Sequence, residues 1–231
     1  MLFRSANHAD WCFALVRTDA ASKQAGISFL LIDMASPGLE VRPIVLISGA
    51  SHFCEVFFDA VKVPKENLVG EVNQGWTIAK RLMEHERDSL AEGRGEGADL
   101  AGLARRVIGE DERGRIADAD LRARLIGVAM RAQAFTLTTA RKGREAKAGQ
   151  GPALVSVLKN LGSDVAQAHA ELAVEILGFD GLGWEGPGYS AEDLEAVRAW
   201  LHSRAFSIYG GTQEIQSNIT AKRVLGLGDG R

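Results

Sequence analysis

The sequence predicts an α+β fold, a partial β-barrel or meander followed by a bundle of four helices. Up to about residue 63 the apolar residues come in short runs rich in Val, Ile, Phe and Leu, separated by turn signals. From Gly75 onward they recur at helical spacing. With 231 residues, 46% hydrophobic and 25% charged, the chain has material for one large or two modest cores. The expected division is a β-domain over residues 1–70 and a helical domain over 71–231.

Strands are expected at residues 11–17, 26–34, 39–46 and 53–63, divided by turns at Ser22-Lys23, Ser36-Pro37-Gly38 and Ser48-Gly49. In the last of them a period of two puts Cys54, Val56 and Phe58 on one face, the expected core face, and Phe53, Glu55, Phe57 and Asp59 on the other.

Helical segments are expected at about 75–108, 117–147, 152–178 and 190–226. The first is interrupted or kinked by Gly93-Arg94-Gly95-Glu96-Gly97. The second sets Leu121, Leu125, Val128, Met130 and Ala132 on an apolar face, with Arg122, Arg124, Arg131 and Arg141 outside it, and ends in a solvated basic cluster at Arg141-Lys142-Gly143-Arg144. The third carries Leu154, Val157, Leu158, Leu161, Val165, Leu172 and Ile176 as a core stripe and stops at Gly178. Ser190, ahead of Glu192 and Asp193, reads as an N-cap.

Charge and composition exclude several classes of function. A net charge of −3 favours neither nucleic acid nor an anionic membrane as partner. No run of eighteen apolar residues and no signal-peptide pattern occurs, so no membrane span is expected and the cytoplasm is the default location. The two cysteines, Cys12 and Cys54, lie in apolar runs as small hydrophobes do, which fits a reducing compartment. The five histidines are scattered and Cys-x-x-Cys is missing, so no metal is expected; neither a Gly-x-Ser-x-Gly elbow nor a Walker sequence is present.

Two places carry candidate chemistry. Tyr209-Gly210-Gly211-Thr212 joins a helix-breaking Gly pair to a fresh amphipathic helix. Such a start offers free N–H groups and a positive dipole end, which suit a phosphate, and it is equally an ordinary helix–turn–helix corner. The first helix places Trp76, Ala79, Met83, Glu86 and Leu90 on one stripe, with Ile78 and Leu82 beside it, so one carboxylate interrupts an apolar face. A carboxylate buried there rises from about 4.3 towards neutrality, as a general base working near pH 7 requires. The alternative is a core Glu paired with Arg81, Arg87 or Arg204.

The residues from Tyr209 through Gln216, with Ser217-Asn218-Ile219 and Arg223-Val224-Leu225-Gly226-Leu227, resemble the C-terminal signature of the flavin-dependent acyl-CoA dehydrogenases. Glu55-Val56-Phe57-Phe58-Asp59-Ala60-Val61-Lys62-Val63-Pro64, then Glu66-Asn67-Leu68-Val69-Gly70-Glu71 and Gly75-Trp76, resemble the passage from that family's β-domain into its helical domain. The resemblance covers the chain but only the back part of the usual family protein. It implies a sequence that starts inside the β-domain, as a truncated or mis-started gene would.

The resemblance also implies a site. Many members carry their base directly after the signature Tyr, where this chain has Gly210. A subgroup carries it on the first bundle helix in a Leu-x-x-Glu-Arg context, and Met83-Glu84-His85-Glu86-Arg87 places Glu86 at that base position and Arg87 beside it in the substrate site. Thr212 and Glu214 match positions that contact the ribose and pyrophosphate end of FAD, with Gly210 and Gly211 allowing close approach. Leu177, Gly178 and Gly181 match a corner that meets the adenosine part, commonly from a neighbouring subunit. Three departures stand out: Gly178-Phe179-Asp180-Gly181 replaces the frequent Gly-Gly-x-Gly, Gln216-Ser217 replaces Gln-Arg, and an Arg-x-x-Phe-Gly contact is missing. Trp76 and Trp184 read as packing residues.

The implied activity is α,β-desaturation of an acyl-CoA thioester, with an electron-transfer flavoprotein as acceptor and a homodimer or homotetramer as the assembly. The rival expectation is a catalytically incomplete fragment or a non-catalytic partner subunit of such an assembly.

Overall fold

Short runs of Val, Ile, Phe and Leu between turn signals fold the front of the chain into strands. The computed structural model describes the backbone of residues 2–92, 99–147 and 154–228 and the side chains of residues 5–83, 99–145 and 154–228. It divides into two units, Met1–Glu86 and Arg87–Arg231.

In the first unit the described strands are β1 (Leu2–Arg4), β2 (Trp11–Arg17), β3 (Ile27–Asp33), β4 (Leu39–Ile44), β5 (Phe53–Phe58) and β6 (Leu68–Val69). They pair antiparallel in two three-stranded sheets, ordered β1-β5-β4 and β2-β3-β6. The hairpins β2–β3 and β4–β5 join sequence neighbours, as in a meander, but belong to different sheets. Cys54 is 0% exposed, and with Val56 and Ala6 it forms a core against Met34, Leu39, Val41 and Phe58, the face expected from the alternation. On the opposite face Phe57 is open, with the Arg42 guanidinium 4.6 Å above its ring. β5 stops at Phe58 rather than near 63: the Asp59 N–H turns to the Gly38 carbonyl (2.8 Å), and Ala60 takes a left-handed φ of 49°. Cys12, on the same face of β2 as the buried Ala14, is half-exposed rather than buried.

The helix α1 (Gly75–Glu92) leaves this unit from a tight seat on β3. A Cβ on Gly75 would overlap the backbone of Ser28, so only glycine allows this approach. The Ser28 hydroxyl is fully buried; it accepts the Asn73 N–H at 2.8 Å and lies 2.7 Å from the Thr18 hydroxyl, which donates to Asn73 Oδ1 at 2.5 Å. Along α1, Ala79 is buried and Trp76 and Ile78 are half-buried, whereas Leu82 and Met83 are exposed. The expected apolar stripe is therefore covered at its start and open further on.

In the second unit the described helices are α2 (Leu100–Ile108), α3 (Ala119–Lys147), α4 (Val155–Leu177), α5 (Ala191–Ser203) and α6 (Gln213–Ile219), which runs into a π-helical turn, Thr220–Val224. α4 is the central element and packs against α2, α3, α5 and α6. The core joins Leu100, Leu103 and Ala104 of α2, Leu121 and Val128 of α3, and Leu172, Ala173, Ile176 and Leu177 of α4. Side-chain caps start the helices: Asp99 accepts from the Ala101 and Gly102 amides, and Ser190, as expected, from that of Asp193.

Two expected segments divide. The first becomes α1 and α2; the expected kink at Gly93–Gly97 lies outside the described residues. The last becomes α5, a 3-10 turn at Arg204–Ser207, and α6, because Gly210 (φ 68°) and Gly211 (φ 91°) are left-handed and end any right-handed helix. On α3, Met130 is 68% exposed rather than core-facing, and Ile126 and Leu137 are open with it. The basic cluster at the end of α3 is on the surface, with Arg141 paired to Glu145 at 2.6 Å.

Candidate functional site

The corner before α6 is built from its sequence. The left-handed glycines turn the chain, and Thr212 in extended conformation (φ −60°, ψ 160°) caps the new helix, its hydroxyl accepting the Ile215 N–H at 3.4 Å. Glu214 stands exposed in the first turn. Its carboxyl is held below the ordinary carboxylate range by the Thr212 hydroxyl, then by its own backbone N–H, with Lys159 adding a favourable charge. Gln216 is 5% exposed and its Nε2 donates to the Gly210 carbonyl at 2.9 Å.

A polar seam on α4 holds this segment. Asn160 Nδ2 donates to the Gln213 carbonyl and the Ser217 hydroxyl, each at 3.2 Å. The Ser163 hydroxyl lies 2.8 Å from both the Phe206 and the Lys159 carbonyls and shares its one proton between them, Gln167 Nε2 donates to the Ser203 carbonyl (2.8 Å), and Gln213 Nε2 to Asp164 Oδ1 (2.5 Å). Residues 160, 163, 164 and 167 recur at the i, i+3, i+4, i+7 spacing of one helix face. These polar residues interleave with the apolar stripe of α4, which is the signal the sequence carries for a seam that the apolar periodicity alone does not disclose.

At the end of α4, Leu177 is buried in the helical core and Gly178 (φ 57°) is exposed. Gly181 is buried, and a Cβ there would come 2.5 Å from the Val174 carbonyl oxygen. What this corner turns outward is Gly178, Leu182 and Phe179, the last 90% exposed. Trp184 beyond it carries the Arg198 guanidinium 5.3 Å from its ring, and Arg198 Nη2 donates to the Trp184 carbonyl at 3.2 Å.

Glu86 and Arg87 belong to α1, but their side chains lie outside the described residues. Helical phase puts position 86 on the same face as Ala79 and Met83.

Residues 73–225 match the sequence profile of the acyl-CoA dehydrogenase C-terminal domain. The chain belongs to the acyl-CoA dehydrogenase family. It is 39% identical over 225 residues to acyl-CoA dehydrogenase FadE34 of Mycobacterium tuberculosis, across 96% of this chain and 30% of that protein. It is 36% identical over 231 residues to acyl-CoA dehydrogenase IpdE1 of the same organism, across 96% of this chain and 56% of that protein. A probable acyl-CoA dehydrogenase from Mycobacterium abscessus superposes with a TM-score of 0.80 at 29% identity, covering 96% of this chain and 58% of that one. The Tcur3481-Tcur3483 steroid ACAD shares the fold with a TM-score of 0.84 at 22% identity, covering 98% of this chain and 59% of that one. The chain thus spans about 30% of one and 56% of the other of these two curated relatives.

The donor set of this acyl-CoA dehydrogenase corner suits a dinucleotide. A helix start supplies N–H donors for phosphate oxygens. An ionised Glu214 only accepts, so its chemistry fits a sugar hydroxyl and not a phosphate. Among the described residues of this family member, no group of three His, Cys, Asp or Glu side chains could hold a metal ion, and no helix is long and apolar enough to cross a membrane.

Proposed function

We propose that this protein takes part in the α,β-desaturation of an acyl-CoA thioester with FAD as cofactor. The observation that carries the reading is the capped Gly210-Gly211-Thr212 corner within a domain of this family. Gly210 and Gly211 bring bare backbone to the ligand, Thr212 supplies a hydroxyl, Glu214 accepts from a ribose hydroxyl, and Gly178 with its exposed neighbours meets the adenosine end. Leu177 and Gly181 shape that second corner from inside.

Glu86 is the base of this reading. It removes the α-proton of the thioester, with Arg87 beside it in the substrate site, and keeps that proton on its carboxyl oxygen. When bound, FAD supplies the acceptor for the β-hydrogen, which leaves as hydride. An electron-transfer flavoprotein is the proposed onward acceptor, and a homodimer or homotetramer the proposed assembly. The test is Glu86→Gln: flavin should stay bound while its bleaching by acyl-CoA under anaerobic conditions falls at least a hundredfold. A variant that bleaches at the parent's rate would refute the assignment of the base.

The second reading is a catalytically incomplete fragment or a non-catalytic partner subunit of such an assembly. Colourless protein after mixing with FAD and removing the excess would support it.

A further inference from the structure

Gln216 reaches back from α6 to the corner that precedes it. The side chain is buried, its Nε2 donates to the Gly210 carbonyl at 2.9 Å, and a Cβ on Gly211 would overlap that same nitrogen. The carboxamide therefore fills the space beneath Gly211 and bonds the carbonyl of Gly210. A planar trans peptide points its C=O and the following N–H in opposite directions. Holding the Gly210 carbonyl towards a buried donor consequently turns the Gly211 N–H the other way, out of the protein.

Without this hold the corner would be loose. Two successive glycines have more conformational freedom to lose than any other pair, and a peptide plane between residues without Cβ atoms flips easily. The flanks are already fixed, by Ser163 on the Phe206 carbonyl and by Asn160 on the Gln213 carbonyl. Gln216 holds what lies between them.

We propose that Gln216 is a positioning residue for the cofactor corner: by holding the Gly210 carbonyl inward, it aims the Gly211 N–H outward as a preset donor for an anionic oxygen of the dinucleotide. This rests on the reading of the corner as a flavin site. Preorganisation of this kind lowers the ordering cost of binding without itself touching the ligand.

The experiment uses the whole chain with FAD as the probe, and reads the flavin dissociation constant and the hydrogen-exchange rate of the Gly211 amide with and without flavin. In the parent, flavin should slow Gly211 exchange at least tenfold. Gln216→Ala should weaken flavin binding about tenfold and lose that protection, while the Ile215 amide, bonded to Thr212, keeps its rate. Gln216→Glu, equal in size but without the donor, should weaken binding at least as much. A merely structural glutamine would lower the melting midpoint of flavin-free protein in both variants and leave the dissociation constant of the folded fraction unchanged, which would overturn the proposal. Needing no variant, equal Gly211 exchange in free and flavin-bound parent would overturn it too. A parent that binds no flavin would instead bring down the reading of the site, and this inference with it.

Discussion

Single residues here act mostly through the backbone they fix. The buried carboxylate of Asp193 does this at the start of α5: it lies 2.7 Å from Arg106 Nη2 on α2, while its own N–H goes to Ser190. The Ser190 hydroxyl, then the Arg106 guanidinium, hold the Asp193 carboxyl below the ordinary carboxylate range. A depressed folded-state pKa stabilises the fold above the unfolded value of about 3.9, and that contribution vanishes as pH falls through the lower folded value. Arg106 is about half exposed, so solvent screens the pair. Arg106→Ala should lower stability at pH 6, read by urea unfolding, and the difference from the parent should shrink on approaching pH 2.

At the level of elements, legibility followed how local each determinant is. β2 and β3 could be read because an apolar run bounded by turn signals is a property of adjacent residues, the core face of β5 because alternation is one too, and Ser190 because an N-cap acts within one turn. The partition into two sheets could not, since strand pairing brings Leu2 to Glu55 and Phe29 to Val69 across long stretches of chain. Apolar residue type does not by itself state what is covered: Met83 shares the phase of buried Ala79 and is open, whereas Met130 lies about half a turn from Leu121 and Val128, on the side of α3 away from the core, so its expected place on their face was wrong. The Gly210–Glu214 corner was visible as a motif, whereas the α4 seam and the Gln216 clasp exist only once the chain returns on itself. The seat of α1 is similar: Ser28 and Asn73 are far apart in sequence and meet through a buried hydroxyl. Ser28→Ala leaves the Asn73 N–H without its acceptor and should lower stability by about 1–3 kcal/mol, measured by denaturant titration.

For the molecule as a whole, membership of the acyl-CoA dehydrogenase family and a length of about half of IpdE1 sit together with many large apolar side chains at the surface, Ile126, Met130, Leu137 and Phe179 among them. These side chains lie on one face of α3 and on the corner after α4. The chain's two cysteines both fall in the first unit, one sealed and one half open: Cys54 lies in the sheet core with its Sγ donating to Asn7 Oδ1 at 3.4 Å, and Cys12 sits on an edge strand, its thiol pushed up by partial burial. A thiol-reactive dye therefore becomes a clock for that half of the molecule alone. At pH 8 one equivalent should couple without any opening of the fold, at the slowed rate a raised thiol allows, and the second only as fast as the β-unit opens, leaving the helices unlabelled throughout.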